Sequence, residues 1–181
     1  MSTIPAGTYT IEPSHSEVGF TVRHAGISKV RGQFTDFAGE LVVAEDVAQS
    51  TANVTIQSGS VDTKDENRDN HLRSADFWDA ENNPEWTFVS TSVDGDADEF
   101  TLNGDLTIKG VTQPVALAVE YNGAATDPFG QDRIGFSATT TISRKDFGLT
   151  WNAALETGGV LVSDKVNITI EVEAVPPAAQ A

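Results

Sequence analysis

Between Val166 and Ala174 the apolar residues Val166, Ile168, Ile170, Val172 and Ala174 alternate without a break with Asn167, Thr169, Glu171 and Glu173. Successive side chains of an extended chain point to opposite faces, so this stretch reads as a strand with one face buried and the other solvated. The same period of two recurs at Val18, Phe20 and Val22, at Phe100, Leu102, Leu106 and Ile108, and at Ile134, Phe136, Ala138 and Ile142. Shorter strand candidates cover 9–11, 30–36, 39–43, 53–57, 86–93 and 115–121. Turn-rich pieces such as Asp94-Gly95-Asp96, Lys109-Gly110 and Asn122-Gly123 separate them. The fold class is all-β and antiparallel, and periodicity alone does not choose between a sandwich and a closed barrel.

The alternation stops between Asp65 and Asp79, where Leu72 and Ala75, with Phe77 and Trp78 beyond them, stand at helical spacing. This predicts one short helix near residues 67–76, capped by Asp65 or Asn67 and ended by Asn82-Asn83-Pro84. A helical turn is expected near 144–148, with Gly148 as its terminator. Residues 1–175 read as a single domain, and the Pro/Ala-rich tail 176–181 has nothing to bury and is expected to be disordered.

Eleven Lys and Arg against 27 Asp and Glu give a formal net charge of −16. A field of that sign repels nucleic acid and anionic membranes, so neither is an expected partner. There are no cysteines, which excludes disulfides and thiol chemistry. No basic and apolar leader pattern precedes the first strand, and no apolar run approaches the roughly 18 residues of a membrane span, so the expected setting is cytoplasmic, with no stable membrane insertion.

Catalytic motifs are missing: there is no G-x-S-x-G, no phosphate loop, no dinucleotide fingerprint and no H-E-x-x-H. Asp94, Asp96 and Asp98 have calcium-loop spacing, but Glu99 stands where that loop needs glycine, so they read as an acidic hairpin. His15, His24 and His71 lie on three different elements, without the close-spaced pair typical of a metal site. Ser14 and Ser16 flank His15, yet neighbours in a strand face opposite ways, so His15 is no base for either. No enzyme, cofactor or metal is expected. The segment from Arg68 to Asp79 mixes guanidinium, imidazole and carboxylate with two aromatics and reads as a plug or lid. Its side chains either bind one another or place His71 or Arg73 near a ligand's polar head.

The run Pro13-Ser14-His15-Ser16-Glu17-Val18-Gly19-Phe20-Thr21-Val22-Arg23-His24 resembles the opening signature of the YceI-like, polyisoprenoid-binding proteins. The likeness continues through Val30-Arg31-Gly32-Gln33-Phe34, the Arg68–Asp79 segment, Gly104-Asp105-Leu106-Thr107-Ile108-Lys109-Gly110, Arg133-Ile134-Gly135-Phe136 and Ser143-Arg144-Lys145-Asp146-Phe147-Gly148, spanning 8–175. It implies an eight-stranded, lipocalin-like barrel, often a homodimer, whose apolar lumen holds a polyisoprenoid lipid or the tail of an isoprenoid quinone as cargo rather than cofactor. Many members are exported to the periplasm, a setting this N-terminus does not suggest.

An eight-stranded barrel is just wide enough to be filled by its own side chains or to hold one slender ligand. Each buried methylene contributes about 0.8 kcal/mol, so a chain of about twenty carbons has ample driving force. The expected lumen residues are Phe20, Val22, Phe34, Phe88, Leu106, Leu117, Val119, Ile134, Phe136 and Trp151, with His71, Arg73, Phe77 and Trp78 as polar or lid contacts. Two other readings stay open: an enzyme on such a lipid using Asp69, His71 and Arg73, and a partner-binding module with a solid core. An apolar content of 39% is ordinary and does not separate hollow from solid.

Overall fold

A computed structural model describes residues 3–177, so the expected tail lies outside the described residues from position 178 onward. The elements are β1 (Gly7–Ile11), β2 (Glu17–His24), β3 (Ser28–Phe34), β4 (Phe37–Val43), β5 (Thr51–Gln57), β6 (Val61–Asp62), α1 (Glu66–Arg73), β7 (Glu85–Gly95), β8 (Glu99–Ile108), β9 (Val111–Thr126), β10 (Asp132–Ser143) and β11 (Val162–Val175). Short 3-10 turns punctuate them, among them Pro13–His15 and Arg144–Phe147.

Antiparallel pairing runs β1-β4-β5-β7-β8-β9-β10-β11, and β11 returns to β1, which closes an eight-stranded barrel. The long β11 has two partners on one edge. Its last residues pair with β1, Ile11 opposite Ala174, and its earlier residues pair with β2, Val18 opposite Ile170 through Val22 opposite Val166. The 3-10 turn at Pro13–His15 is where one partner gives way to the next. Proline at its first position has a φ already suited to the turn and no N–H to contribute to a ladder. β3 and β6 continue the sheet beyond β2.

The β8–β9 connection is the tight hairpin expected at Lys109-Gly110, both residues lying at positive φ, 50° and 76°. Asn122-Gly123, expected as a turn, lies inside β9 instead. The pairing register slips opposite it, between Gly135 and Phe136, so the local Asn-Gly signal marks a bulge and the chain reverses only at 127–131.

α1 covers Glu66–Arg73, three residues shorter at its end than expected. Asp65 is the cap, its carboxylate accepting from Arg68 N at 3.0 Å, while Ser74 ends the helix by turning its hydroxyl back to His71 O at 2.6 Å. The early stop has a packing cause: residues 74–78 must bend so that Phe77 and Trp78 bury beneath the helix, at 5% and 7% exposure. Among the described residues no helix is long and apolar enough to cross a membrane.

Candidate functional site

The inward rows of the strands do not fill the barrel. They surround a cavity of about 260 Å³ lined almost wholly by apolar side chains, a little below the roughly 300–1,000 Å³ of most small-molecule sites. Glycines help shape it. A Cβ at Gly104 would stand 2.4 Å from Phe88 Cζ, and one at Gly32 would stand 2.3 Å from Phe20 Cζ. Each glycine vacates its place in the wall so that an aromatic ring can lie flat there.

Eight expected lumen residues line the cavity: Phe20, Val22, Phe34, Phe88, Leu106, Leu117, Val119 and Phe136. Ile134 does not. It lies beyond the β9–β10 register slip and packs at 2% exposure in a second apolar cluster with Tyr9, Val43, Tyr121 and Ala174. Trp151 is not a lumen residue either. It lies in the loop after the Arg144–Phe147 turn, its ring 4.7 Å from His71 and 5.3 Å from Phe77, so it backs the lid from outside.

Of the lid residues, Phe77 and Trp78 face the cavity, together with Leu72 of α1. Trp78 also donates from Nε1 to Ser58 O at 3.1 Å. His71 and Arg73 do not line the cavity. His71 Nε2 meets Asp76 at 2.9 Å, and Arg73 clamps the helix to the segment beneath it, donating to Gly59 O at 2.8 Å and to Val61 O at 3.0 Å. The buried Asp69 accepts from Thr63 N at 2.9 Å and Thr63 Oγ1 at 2.6 Å, while Arg68 bonds the same threonine from the other side. The polar content of this segment therefore fastens a lid, as internal bonding predicts, and gives the cavity no titrating base. Lys109 Nζ adds a bond to Ala75 O at 3.1 Å, tying the lid to the β8–β9 hairpin.

Two groups escaped the sequence reading. Trp86 lines the cavity two positions before Phe88 on the same face of β7, and its Nε1 is the one described buried side-chain polar atom without a hydrogen-bond partner. Arg144 is the one charged lining residue among the described residues, 7% exposed. Its signal was present in the inward row Phe136, Ala138, Thr140, Ile142, which continues at the same period to position 144. Burial pushes the guanidinium pKa below the ordinary arginine value, and the charge of Asp164 opposes that shift.

Elsewhere, Asp96 caps its own hairpin by accepting from Asp98 N at 3.0 Å and Glu99 N at 3.1 Å. Among the described residues the one group of three metal-type ligands is Glu12, His15 and Glu173, and Arg133 Nη1 donates to both of its carboxylates. A cation is thus already in place there, supplied by the chain.

A YceI-like domain model matches residues 9–174. Protein YceI of Escherichia coli O157:H7 is 43% identical over 165 residues, covering 91% of this chain and 83% of that protein. Among solved structures, Burkholderia cenocepacia BcnA superposes with a TM-score of 0.79 at 23% identity, over 90% of this chain and 98% of that one. A polyisoprenoid binding domain from Saccharophagus degradans, at 16% identity, gives 0.73 over 93% and 98%. The family model and the identity to YceI are long enough to settle kinship, and the likeness to the two barrels extends it to the fold: this chain belongs to the YceI-like family.

Proposed function

We propose that the protein binds and carries a hydrophobic chain-like molecule, a polyisoprenoid lipid or the tail of an isoprenoid quinone, inside its barrel. One observation carries the reading: the inward strand rows, which could have met across the axis, instead surround an apolar cavity whose lining includes Phe77 and Trp78 of the lid as well as Val43 and Val47. A slender chain fits such a space, and a fused-ring ligand does not. The cavity also speaks against a solid-core module. The Saccharophagus relative, whose name includes polyisoprenoid binding, shares the fold and supports the choice of cargo.

The enzyme reading loses its groups, since Asp69, His71 and Arg73 are bonded within the lid and none of them lines the cavity. A cytoplasmic homodimer acting without cofactor completes the proposal, to be checked by cell fractionation and analytical ultracentrifugation. Native mass spectrometry of gently purified protein should show a lipid adduct, and titration with a polyprenol or a quinone should quench the emission of Trp78 and Trp86, both cavity residues. A protein that is always empty and whose tryptophans ignore both ligands would refute the carrier reading.

A further inference from the structure

Arg144 is a costly residue to place where it stands. At 7% exposure its guanidinium has left water, and no carboxylate bonds to it among the described residues. Its acceptors are three main-chain carbonyls: Ser163 O to Nε at 3.0 Å, Trp151 O to Nη1 at 3.2 Å and Val162 O to Nη2 at 3.4 Å. A guanidinium has five N–H groups in a planar fork, so these three bonds leave two donors over. The acid whose charge bears on it, Asp164, is directed elsewhere, accepting from Ser143 Oγ at 2.5 Å and Lys145 N at 3.1 Å. The cation also lies 6.0 Å above the ring of Phe77, the lid residue that faces the cavity. A buried charge held only by dipoles is unfavourable unless an anion or a dense set of acceptors completes its shell.

We propose that Arg144 is the head-group subsite of the cavity and that the ligand is an amphiphile whose long apolar chain ends in an anionic oxygen group, a carboxylate or a phosphate monoester. This rests on the reading that the cavity holds a chain, and it narrows that cargo by its polar end. The chain lies along the apolar rows of β7 to β11, and its head reaches the end of the barrel where the Arg144–Phe147 turn meets the lid. A guanidinium pairs with such oxygens in a fork geometry, and the bond is stronger for being charge-assisted. An alcohol at the same place can accept one bond but brings neither a charge nor a second oxygen to the fork, so the site selects against alcohols of equal chain length.

The test uses the full chain and matched probes: hexadecanoic acid against hexadecanol, and geranylgeranyl phosphate against geranylgeraniol, titrated by tryptophan quenching at neutral pH. The proposal expects each anion to bind at least about tenfold tighter than its alcohol. In R144M the ratio should fall to about one, and R144K, which keeps the charge on a different geometry, should retain part of it. Preference for only one of the two anions identifies the head as carboxylate or phosphate. Equal binding of anion and alcohol by the unaltered protein, or an undiminished ratio in a folded R144M, overturns the subsite while leaving the carrier reading intact. If neither member of either pair binds, the carrier reading falls and the subsite with it. Should R144M fail to fold, the ratios of the unaltered protein and of R144K still decide.

Discussion

Replacing Gly104 by alanine tests whether the cavity wall is as close-packed as its glycines imply. The new methyl carbon would stand 2.4 Å from Phe88 Cζ, 2.5 Å from Phe88 Cε2 and 2.8 Å from Val89 O. Carbon atoms pack no closer than about 3.5 Å, so the ring has to retreat by roughly 1 Å, at the expense of the cavity that it lines. The clash with Val89 O is harder to relieve, because that oxygen belongs to the β7 backbone. Overpacking of this kind costs about 1–3 kcal/mol, and a value near 2 kcal/mol lowers the midpoint of a chain this size by about 4–8 °C. Urea unfolding followed by tryptophan emission measures the loss, with an unchanged slope confirming that the native state has not opened. The same displacement should weaken binding of a chain-like ligand several-fold. Combined with Phe88→Leu, the alanine should cost about 1 kcal/mol less than it does alone, because the ring that it strikes is gone. A Gly104→Ala protein within about 0.5 kcal/mol of the parent, with full ligand affinity, would refute the argument.

Arg133→Met should flatten the acid limb of stability. The Arg133 hydrogen bond holds the Glu12 carboxyl below its usual range, and the backbone N–H of Gln131, then Arg133, does so for Asp127. These depressed values contribute stability that is complete above the ordinary carboxylate range of about 4–4.5 and disappears as pH falls through the folded values. Urea midpoints near pH 7, 4.5 and 3 should therefore decline less steeply in the variant, and parallel profiles would contradict this. Trp86→Phe removes a buried donor that has no acceptor, so it should alter stability by less than about 1 kcal/mol despite the residue's burial; a loss above about 3 kcal/mol would show that Nε1 is satisfied. Arg73→Met removes the bonds to Gly59 O and Val61 O and to Asn70 Oδ1. It should cost about 1–2 kcal/mol and speed amide exchange across 66–78 while β9 and β10 stay protected, so unchanged exchange in the lid would count against the clamp.

Most of the barrel could be read in the sequence because its wall obeys one rule, side chains alternating in and out, and the rule is local. β11 and the inward row of β10 are legible from Val166–Ala174 and Phe136–Ile142 alone. Legibility failed where an element answers to something distant. The register slip that places Ile134 behind the cavity is marked in the sequence by glycines, Gly135 beside it and Asn122-Gly123 opposite, and that pair reads equally as a turn. Trp151 sits in a loop whose position depends on His71 and Phe77, far earlier in the chain. Arg144 was hidden because a charged residue next to a turn reads as surface, although the period of its strand pointed inward. β6, with two residues, is too short to carry a period at all and exists by pairing Val61 with Phe34.

The lid is moored to main-chain oxygens: Gly59 and Val61 hold Arg73, Thr63 holds Arg68, and Ser58 holds Trp78. A carbonyl is the one acceptor that substitution cannot remove, since every residue type brings its own. The bonds to Arg73 therefore survive a change of side chain at 59 or 61, whereas Thr63 is held to its type, because its hydroxyl also bonds Asp69 and Arg68. The cover is thus fastened largely by groups that do not line the cavity, so the lining can change while the latch that shuts it stays the same.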